Sequence, residues 1–528
     1  MEQLHTIIEG TNFTNFDWAI VAVYLTVAVA IGIVANRYVA NMVDFVVAGR
    51  GVRPALAVAT LTGTELGLVT VMYCAQKGFT GGFAAFHIGV ASGVVTFFVG
   101  LTGFIVVRLR RHGALTIPDY YRMRYGKKTQ IVGGLMLAFG GILNMGMFLK
   151  AGSMFIVGIT GMQSEAALTW VMIALLGLVL FYTVLGGMIS VILTDYIQFV
   201  VLSFGLFLAT ALMINNLGWN HIFDIVMEQK GEAGFNPLLA ESTFGVDYVV
   251  WMVFLGLVNC ALWPTAVARA LACDSEKTVK KQYMWSSISF AIMFIVPYFW
   301  GICAFVYIVD TPTLTQAFFP TTAGAEAIDS LYGMPILMGR ILPAGIIGII
   351  TAAMVAAFMS THDSYLLCWS SVLTNDVFAP LLGERMNEKL KVLLARVLIV
   401  VIGLIVLLIS FVYPLKAELW DYMAVTGAIY FTGAFALLLG GLYWERASST
   451  GAVLALFTGG FAILGLPAVQ EKALTILGFE SGRINTIMES FTGERVGLAA
   501  IILSLLMMWI GSLLFPDRKE VSEEGGLT

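Results

Sequence analysis

Ala357-Phe358-Met359-Ser360-Thr361-His362-Asp363-Ser364 sets two adjacent hydroxyls and a carboxylate inside a run that otherwise reads as a membrane-spanning helix. Polar and ionisable groups are costly in hydrocarbon, so at that depth they mark function. Hydroxyl, carboxylate and carbonyl oxygens suit a hard cation. A small hard cation held within a helix bundle points to ion-coupled transport.

Two further stretches are poor material for plain spans. Thr60-Leu61-Thr62-Gly63-Thr64-Glu65-Leu66-Gly67 flanks a Glu with glycines, which weaken a helix. Gly256-Leu257-Val258-Asn259-Cys260-Ala261-Leu262-Trp263-Pro264 ends on a proline, which removes a helix hydrogen bond and clashes with the preceding turn. Gly and Pro are also common in unbroken membrane helices. Discontinuous helices in corresponding positions of two halves, however, point to a transporter's midplane site. Freed carbonyls there can ligate a cation, and half-helix N-termini attract anionic groups.

The elements that position these residues follow from composition. Apolar residues fill 59% of 528 positions and charged residues 12%, against about 25% charged in a soluble domain. The expected class is an all-α polytopic membrane protein, since every backbone donor must be satisfied without water. About 20 apolar residues cross the hydrocarbon core, and thirteen runs meet that length: 17–36, 54–76, 84–107, 130–157, 168–186, 188–214, 247–268, 285–309, 338–373, 393–413, 420–442, 450–467 and 497–515. Only Gly186-Gly187 separates the fifth from the sixth. Five spans run from the first break to the second and five more to residue 442, the arrangement of a five-plus-five inverted repeat with two broken helices.

The expected divisions are 1–53 (an extra N-terminal helix and cytoplasmic loop), 54–214 (first repeat), 215–246 (an extracellular loop), 247–442 (second repeat), 443–515 (extra helices) and 516–528 (a cytoplasmic tail). Within the loop, Trp219 to Lys230 reads first as a loop cap and alternatively as a short amphipathic helix. Of the 29 Lys and Arg, only Lys77, Lys230, Arg340, Lys416, Lys472, Arg483 and Arg495 fall outside if the N-terminus is outside and the C-terminus cytoplasmic. Lys150 falls within a span. The rest, including Arg37, Arg108, Arg269, Arg518 and Lys519, fall inside, as the positive-inside rule requires. A cell membrane location follows. Met1 to Asp17 lacks the basic region of a signal peptide. The five cysteines are scattered without metal-like spacing, no basic face suggests nucleic acid, and no phosphate loop suggests an ATP-driven pump.

Further stretches carry a resemblance. Asp44-Phe45-Val46-Val47-Ala48-Gly49-Arg50, Gly186-Gly187-Met188 followed by Thr194-Asp195-Tyr196-Ile197-Gln198, the 357–364 stretch, Asn375-Asp376-Val377-Phe378, and Gly441-Leu442-Tyr443-Trp444-Glu445-Arg446 before Gly451-Ala452 occur in the order of the sodium:solute symporter family. Glu445 departs from its usual base. The chain resembles that family, whose core is the LeuT-type inverted repeat.

The resemblance implies a main sodium site with carbonyls of Gly63, Leu66 and Ala357 and hydroxyls of Ser360 and Thr361. It implies a possible second sodium site at Asp195, completed by Asp363, Ser364 and Thr70, although Gly67 and Asp363 depart from the pattern. Asp195 reads alternatively as a structural carboxylate, and Ser and Thr in helices also bond back to the preceding turn. Substrate is expected beside both breaks, near Glu65, Asn259 and Trp263. His87 is interfacial or cavity-facing. Lys150 either snorkels outward or faces the cavity and pairs with Glu65. His362 points roughly 100° away from Thr361 on an ideal helix and reads as a packed polar residue. The function expected is sodium-coupled symport of a small polar organic solute by alternating access, without enzyme chemistry and with sodium and the lipid bilayer as its partners. No obligate protein partner is evident. A proton-coupled transporter on the same fold, or a membrane solute sensor, is the alternative.

Overall fold

The computed structural model describes residue 7 and residues 10–35, 48–164, 166–321, 327–413 and 418–517, with only the backbone at residue 384 and at several positions between 28 and 35 and between 182 and 197. Asp44 to Val47, Arg37, Lys416, Arg518 and Lys519 lie outside the described residues, as do the side chains of Met188 and Thr194. Among the described residues every regular element is helical, apart from an isolated bridge between Val52 and Cys273.

The first expected span is α1, Asn15–Ala35. The second is broken into α2, Pro54–Glu65, and α3, Leu68–Gly81. Pro54 opens α2, where its missing N–H is no loss. The helix stops at Leu66 (φ −93°, ψ 67°), and Gly67 is extended at φ −82°, ψ 168°. A turn at Gly82, which has φ +63°, leads to α4, Phe86–Thr102. Helices α5 (Lys127–Met145), α6 (Phe148–Thr160), α7 (Ala167–Leu217) and α8 (Trp219–Lys230) follow.

The second break separates α9, Gly245–Leu262, from α10, Pro264–Ala272. Trp263 between them is extended at φ −60°, ψ 120°, so Pro264 begins a new helix instead of kinking an old one. Helix α11, Glu276–Val309, starts at Ser275, whose Oγ accepts the Thr278 N–H. The remaining long helices are α12 (Ile346–Val372), α13 (Glu388–Val412), α14 (Leu419–Tyr443), α15 (Ser449–Gly460) and α16 (Gly493–Leu514). Helices α12 and α14 are almost wholly buried. The outer face of α13 exposes Leu393, Val397, Leu404 and Leu408, as a lipid-facing helix should.

Among the described residues, nine helical stretches are long and apolar enough to cross a bilayer, or ten if Ser449–Gly465 and Pro467–Ile476, bent by 95°, form one span. The thirteen expected spans are not all visible by that measure, because a broken span divides into short pieces such as the 12 residues of α2.

Two expectations are revised. The backbone stays helical for the 51 residues of α7, so no interruption of the helix marks Gly186-Gly187; glycine permits a break without forcing one. At 1.5 Å per residue α7 holds about 77 Å of helix along its own path, enough for two crossings of a core about 30 Å thick. The 219–230 stretch is a helix, not a loop cap.

Helix α12 is pinned at its start. Asp17 on α1 accepts the N–H groups of Gly345 (2.7 Å) and Gly348 (2.9 Å), a favourable place for a carboxylate at a helix N-terminus. That contact holds α12 against α1, and the hydroxyls of its middle turns face the break between α2 and α3.

Candidate functional site

The break and α12 meet at a contact only glycine permits. A Cβ on Gly67 would lie 1.9 Å from Thr361 Oγ1, and one on Gly63 would lie 3.0 Å from the Asp195 carbonyl oxygen. Thr361 Oγ1 is 3.3 Å from the Thr64 carbonyl oxygen and 3.1 Å from that of Ala357. Hydroxyl and carbonyl oxygens therefore converge where the helix ends, a donor set suited to sodium. Thr361 and Ala357 meet the break here, but the break's carbonyl nearest Thr361 is that of Thr64, while Gly63 faces Asp195 and Leu66 caps α2. Ser360 lies on the same turn as Thr361, but its hydroxyl donates to the Asp195 carboxylate. Gly67→Ala is expected to separate α12 from the break and to remove sodium-specific stabilisation. Equal sodium-dependent thermal shifts in wild type and variant would contradict this.

Asp195, fully buried on α7, is the centre of a second cluster. Its Oδ2 accepts from Thr60 Oγ1 (2.5 Å), Thr64 Oγ1 (2.9 Å) and Arg269 Nη2 (3.0 Å). The same Arg269 nitrogen donates to Ser364 Oγ at 2.7 Å, and Ser364 donates to Asp363 Oδ1 at 3.1 Å. Arg269 Nε reaches Thr60, and Nη1 reaches the Thr265 carbonyl at 3.2 Å. The structure thus brings Asp195, Asp363 and Ser364 together. Thr70 is elsewhere, donating across the break to the Glu65 carbonyl at 2.8 Å.

Arg269 is the participant that sequence reasoning missed. Placed five residues past Pro264 on α10, it reads as an inner-surface charge, yet its side chain is 1% exposed. The available signal was Asp195 itself: a carboxylate inside a bundle demands a cation or several donors.

Beside both breaks lies a cavity of about 110 Å³. Glu65, Asn259 and Trp263 line it, as expected, and Glu65 Oε1 accepts from Thr265 Oγ1 at 2.9 Å. Trp263 packs against Tyr365 and Phe431 with ring centroids 5.3 and 4.9 Å apart. Neither His87 nor Lys150 is among the lining residues. The His87 ring packs against Phe244 and Tyr248. Lys150 acts electrostatically on Asp329, a carboxyl outside the spans that burial raises and its Leu331 backbone bond and the Lys150 charge lower. The expected alternative of a Lys150–Glu65 pair is not formed.

Each end of the bundle is tied across the breaks. Lys77, on α3, meets Glu418 at 2.5 Å and Asp421 at 2.9 Å, and Tyr248 donates to Asp421 at 3.0 Å. Gln76 Oε1 accepts the Leu419 N–H at 2.9 Å. At the other end Val52 exchanges backbone bonds with Ala272 and Asp274, and Arg110 donates twice to the Cys273 carbonyl.

Two interrupted helices around a cavity, with hard oxygen donors at one interruption, define a secondary transporter coupled to a small cation. The chain belongs to the sodium:solute symporter family, whose model matches residues 45–459. It is 25% identical over 512 residues to the sodium/proline symporter of Escherichia coli strain K12, covering 90% of this chain and 93% of that protein. It is 23% identical over 510 residues to the sodium/glucose cotransporter of Vibrio parahaemolyticus, covering 90% of each. A solved structure of a Na+-coupled sialic acid symporter in a substrate-bound outward-open state shares the fold, with a TM-score of 0.74 at 20% identity, covering 96% of this chain and 99% of that one. The protein is a membrane transporter that couples sodium to a small organic solute.

Proposed function

We propose that one sodium ion binds between the α2–α3 break and α12, that solute occupies the cavity beside Glu65 and Trp263, and that alternating access carries both across. The convergence of Thr361 with the Thr64 and Ala357 carbonyl oxygens at Gly67 carries the sodium assignment. Ser360 joins that site when its hydroxyl turns from Asp195. The cation at Asp195 is Arg269, which supports a stoichiometry of one sodium per solute in place of two.

The end carrying Lys77 is taken as the outer face, with the N-terminus outside and the C-terminus cytoplasmic, on the distribution of Lys and Arg. The division into two repeats at 54–214 and 247–442 is kept, with the two breaks as its paired landmarks. The E. coli relative is named for proline and the Vibrio relative for glucose, so relatives span both an amino acid and a sugar. The cavity must decide.

The test is sodium activation of uptake in proteoliposomes by the Ser360→Ala/Thr361→Ala variant. Each lost ligand oxygen costs on the order of a charge-assisted hydrogen bond, roughly 1.5–3 kcal/mol. The sodium concentration for half-activation is therefore expected to rise roughly tenfold or more. Unchanged sodium dependence would remove these residues from the ion site.

A further inference from the structure

We infer that the solute is recognised through an ammonium group carrying N–H donors, which Glu65 and the unpaired amide oxygens of the cavity accept while aromatic rings enclose it. The inference rests on the symport reading above and concerns the chemistry of the same cavity.

The cavity's charge comes first. Among the described residues that line it, Glu65 is the one carboxylate and none is Lys, Arg or His. Among the described residues no cationic side chain forms an ion pair with Glu65; its neighbour at Oε1 is the Thr265 hydroxyl. A carboxylate facing a partly enclosed, largely apolar space is costly unless a cation arrives to compensate it. A carboxylate or phosphate solute would add a second negative charge with no basic side chain to meet it.

Unpaired acceptors point the same way. Asn144 lines the cavity, is 2% exposed, and has no partner at Oδ1. Its orientation is set by its other end, because Nδ2 donates to the Met423 carbonyl at 2.8 Å and to Thr426 Oγ1 at 3.1 Å. Asn259 lines the same cavity and also has a buried, unpartnered Oδ1. A buried acceptor without a donor is rare in a native structure and calls for one. A bound solute with N–H groups supplies it.

The walls complete the case. Tyr73, Phe148, Trp263, Tyr365, Trp420 and Phe431 line the cavity. Tyr73 and Trp420 have ring centroids 4.6 Å apart, and Phe148 and Tyr365 5.1 Å apart, so the rings form continuous patches. Aromatic faces attract a desolvated cation and accommodate the carbon skeleton around it. A neutral sugar would leave the Glu65 charge uncompensated.

The experiment is a thermal-stability measurement on the purified full chain, in sodium and in potassium, with three five-membered-ring probes. These are pyrrolidine (an ammonium), L-proline (an ammonium with a carboxylate) and cyclopentanecarboxylate (a carboxylate alone). At least one ammonium probe is expected to raise the melting temperature by several degrees in sodium, and cyclopentanecarboxylate to leave it unchanged. A larger shift with pyrrolidine marks a carboxylate-free solute and a larger shift with L-proline a zwitterion; either order sustains the inference. Glu65→Gln is expected to lose the ammonium shift while keeping the stabilisation given by sodium alone. No shift from either ammonium probe, an equal shift from cyclopentanecarboxylate, or loss of the sodium effect in Glu65→Gln overturns the inference. Absence of any sodium effect in wild type would instead overturn the sodium-site reading on which it rests.

Discussion

Arg269→Met is expected to destabilise the protein strongly in potassium, with sodium restoring most of the loss. Arg269 and Asp195 are 1% and 0% exposed. Removing one partner of a buried pair typically costs about 3–5 kcal/mol, because the other charge is left without compensation. Here Asp195 keeps the hydroxyls of Thr60, Thr64 and Ser360, which places the loss toward the lower end of that range. The space left by the guanidinium is bounded by carboxylate and hydroxyl oxygens, a hard donor set.

Sodium should enter that space where potassium does not. A titration of thermal stability should then show a second sodium step absent from wild type, since binding to the folded state alone raises stability by mass action. Asp195→Asn/Arg269→Met, which removes both charges, should recover stability without gaining that step. An equal loss in both salts would sink the idea that Arg269 occupies an ion's place. So would a wild-type flux of two sodium ions per solute.

The fold's main landmarks were readable because they break local rules. Pro264 and the glycines around Glu65 cannot continue a helix comfortably, and both places are interrupted. Ser360, Thr361 and Asp363 stood out because hydrocarbon tolerates such groups poorly. Partners were not readable. The Arg269–Asp195 contact joins residues 74 positions apart, and Lys77 meets Asp421 across 344. The positive-inside rule assigns a charge to a side of the membrane and is silent on whether it faces water; both Lys77 and Arg269 face protein.

Register defeats the Thr70 expectation, since Thr70 follows the break and bonds back across it to Glu65. Gly67 teaches the converse. Read from sequence it departs from the family pattern; in the structure its missing Cβ is what admits Thr361. The α7 boundary was illegible because Gly186-Gly187 is compatible with both a turn and a helix.

Lys77→Met is expected to hold the transporter open at the end that carries the Lys77 cluster, and so to stall the cycle. The Lys77 side chain is 3% exposed and contacts both Glu418 and Asp421 at the start of α14. Without the ammonium, two half-buried carboxylates three residues apart, 22% and 36% exposed, repel one another beside the Tyr248 hydroxyl. Fuller hydration relieves that repulsion, and parting α3 from α14 supplies it. The remaining ties are the hydrogen bond from the Leu419 N–H to Gln76, worth about 0.5–1.5 kcal/mol net, and the packing of Tyr73 on Trp420.

Cys260 lines the cavity and can report the opening once Cys74, Cys273, Cys303 and Cys368 are replaced. In that background, Lys77→Met should raise the rate at which a membrane-impermeant thiol reagent modifies Cys260 from outside by roughly tenfold, a shift of about 1.4 kcal/mol in the open–closed balance. Uptake should fall steeply while solute still stabilises the protein, because the binding residues are untouched and only re-closure is lost. Lys77→Arg, which keeps the charge, should return part of both. An unaltered labelling rate in Lys77→Met would mean that this cluster stabilises the fold without acting as a latch.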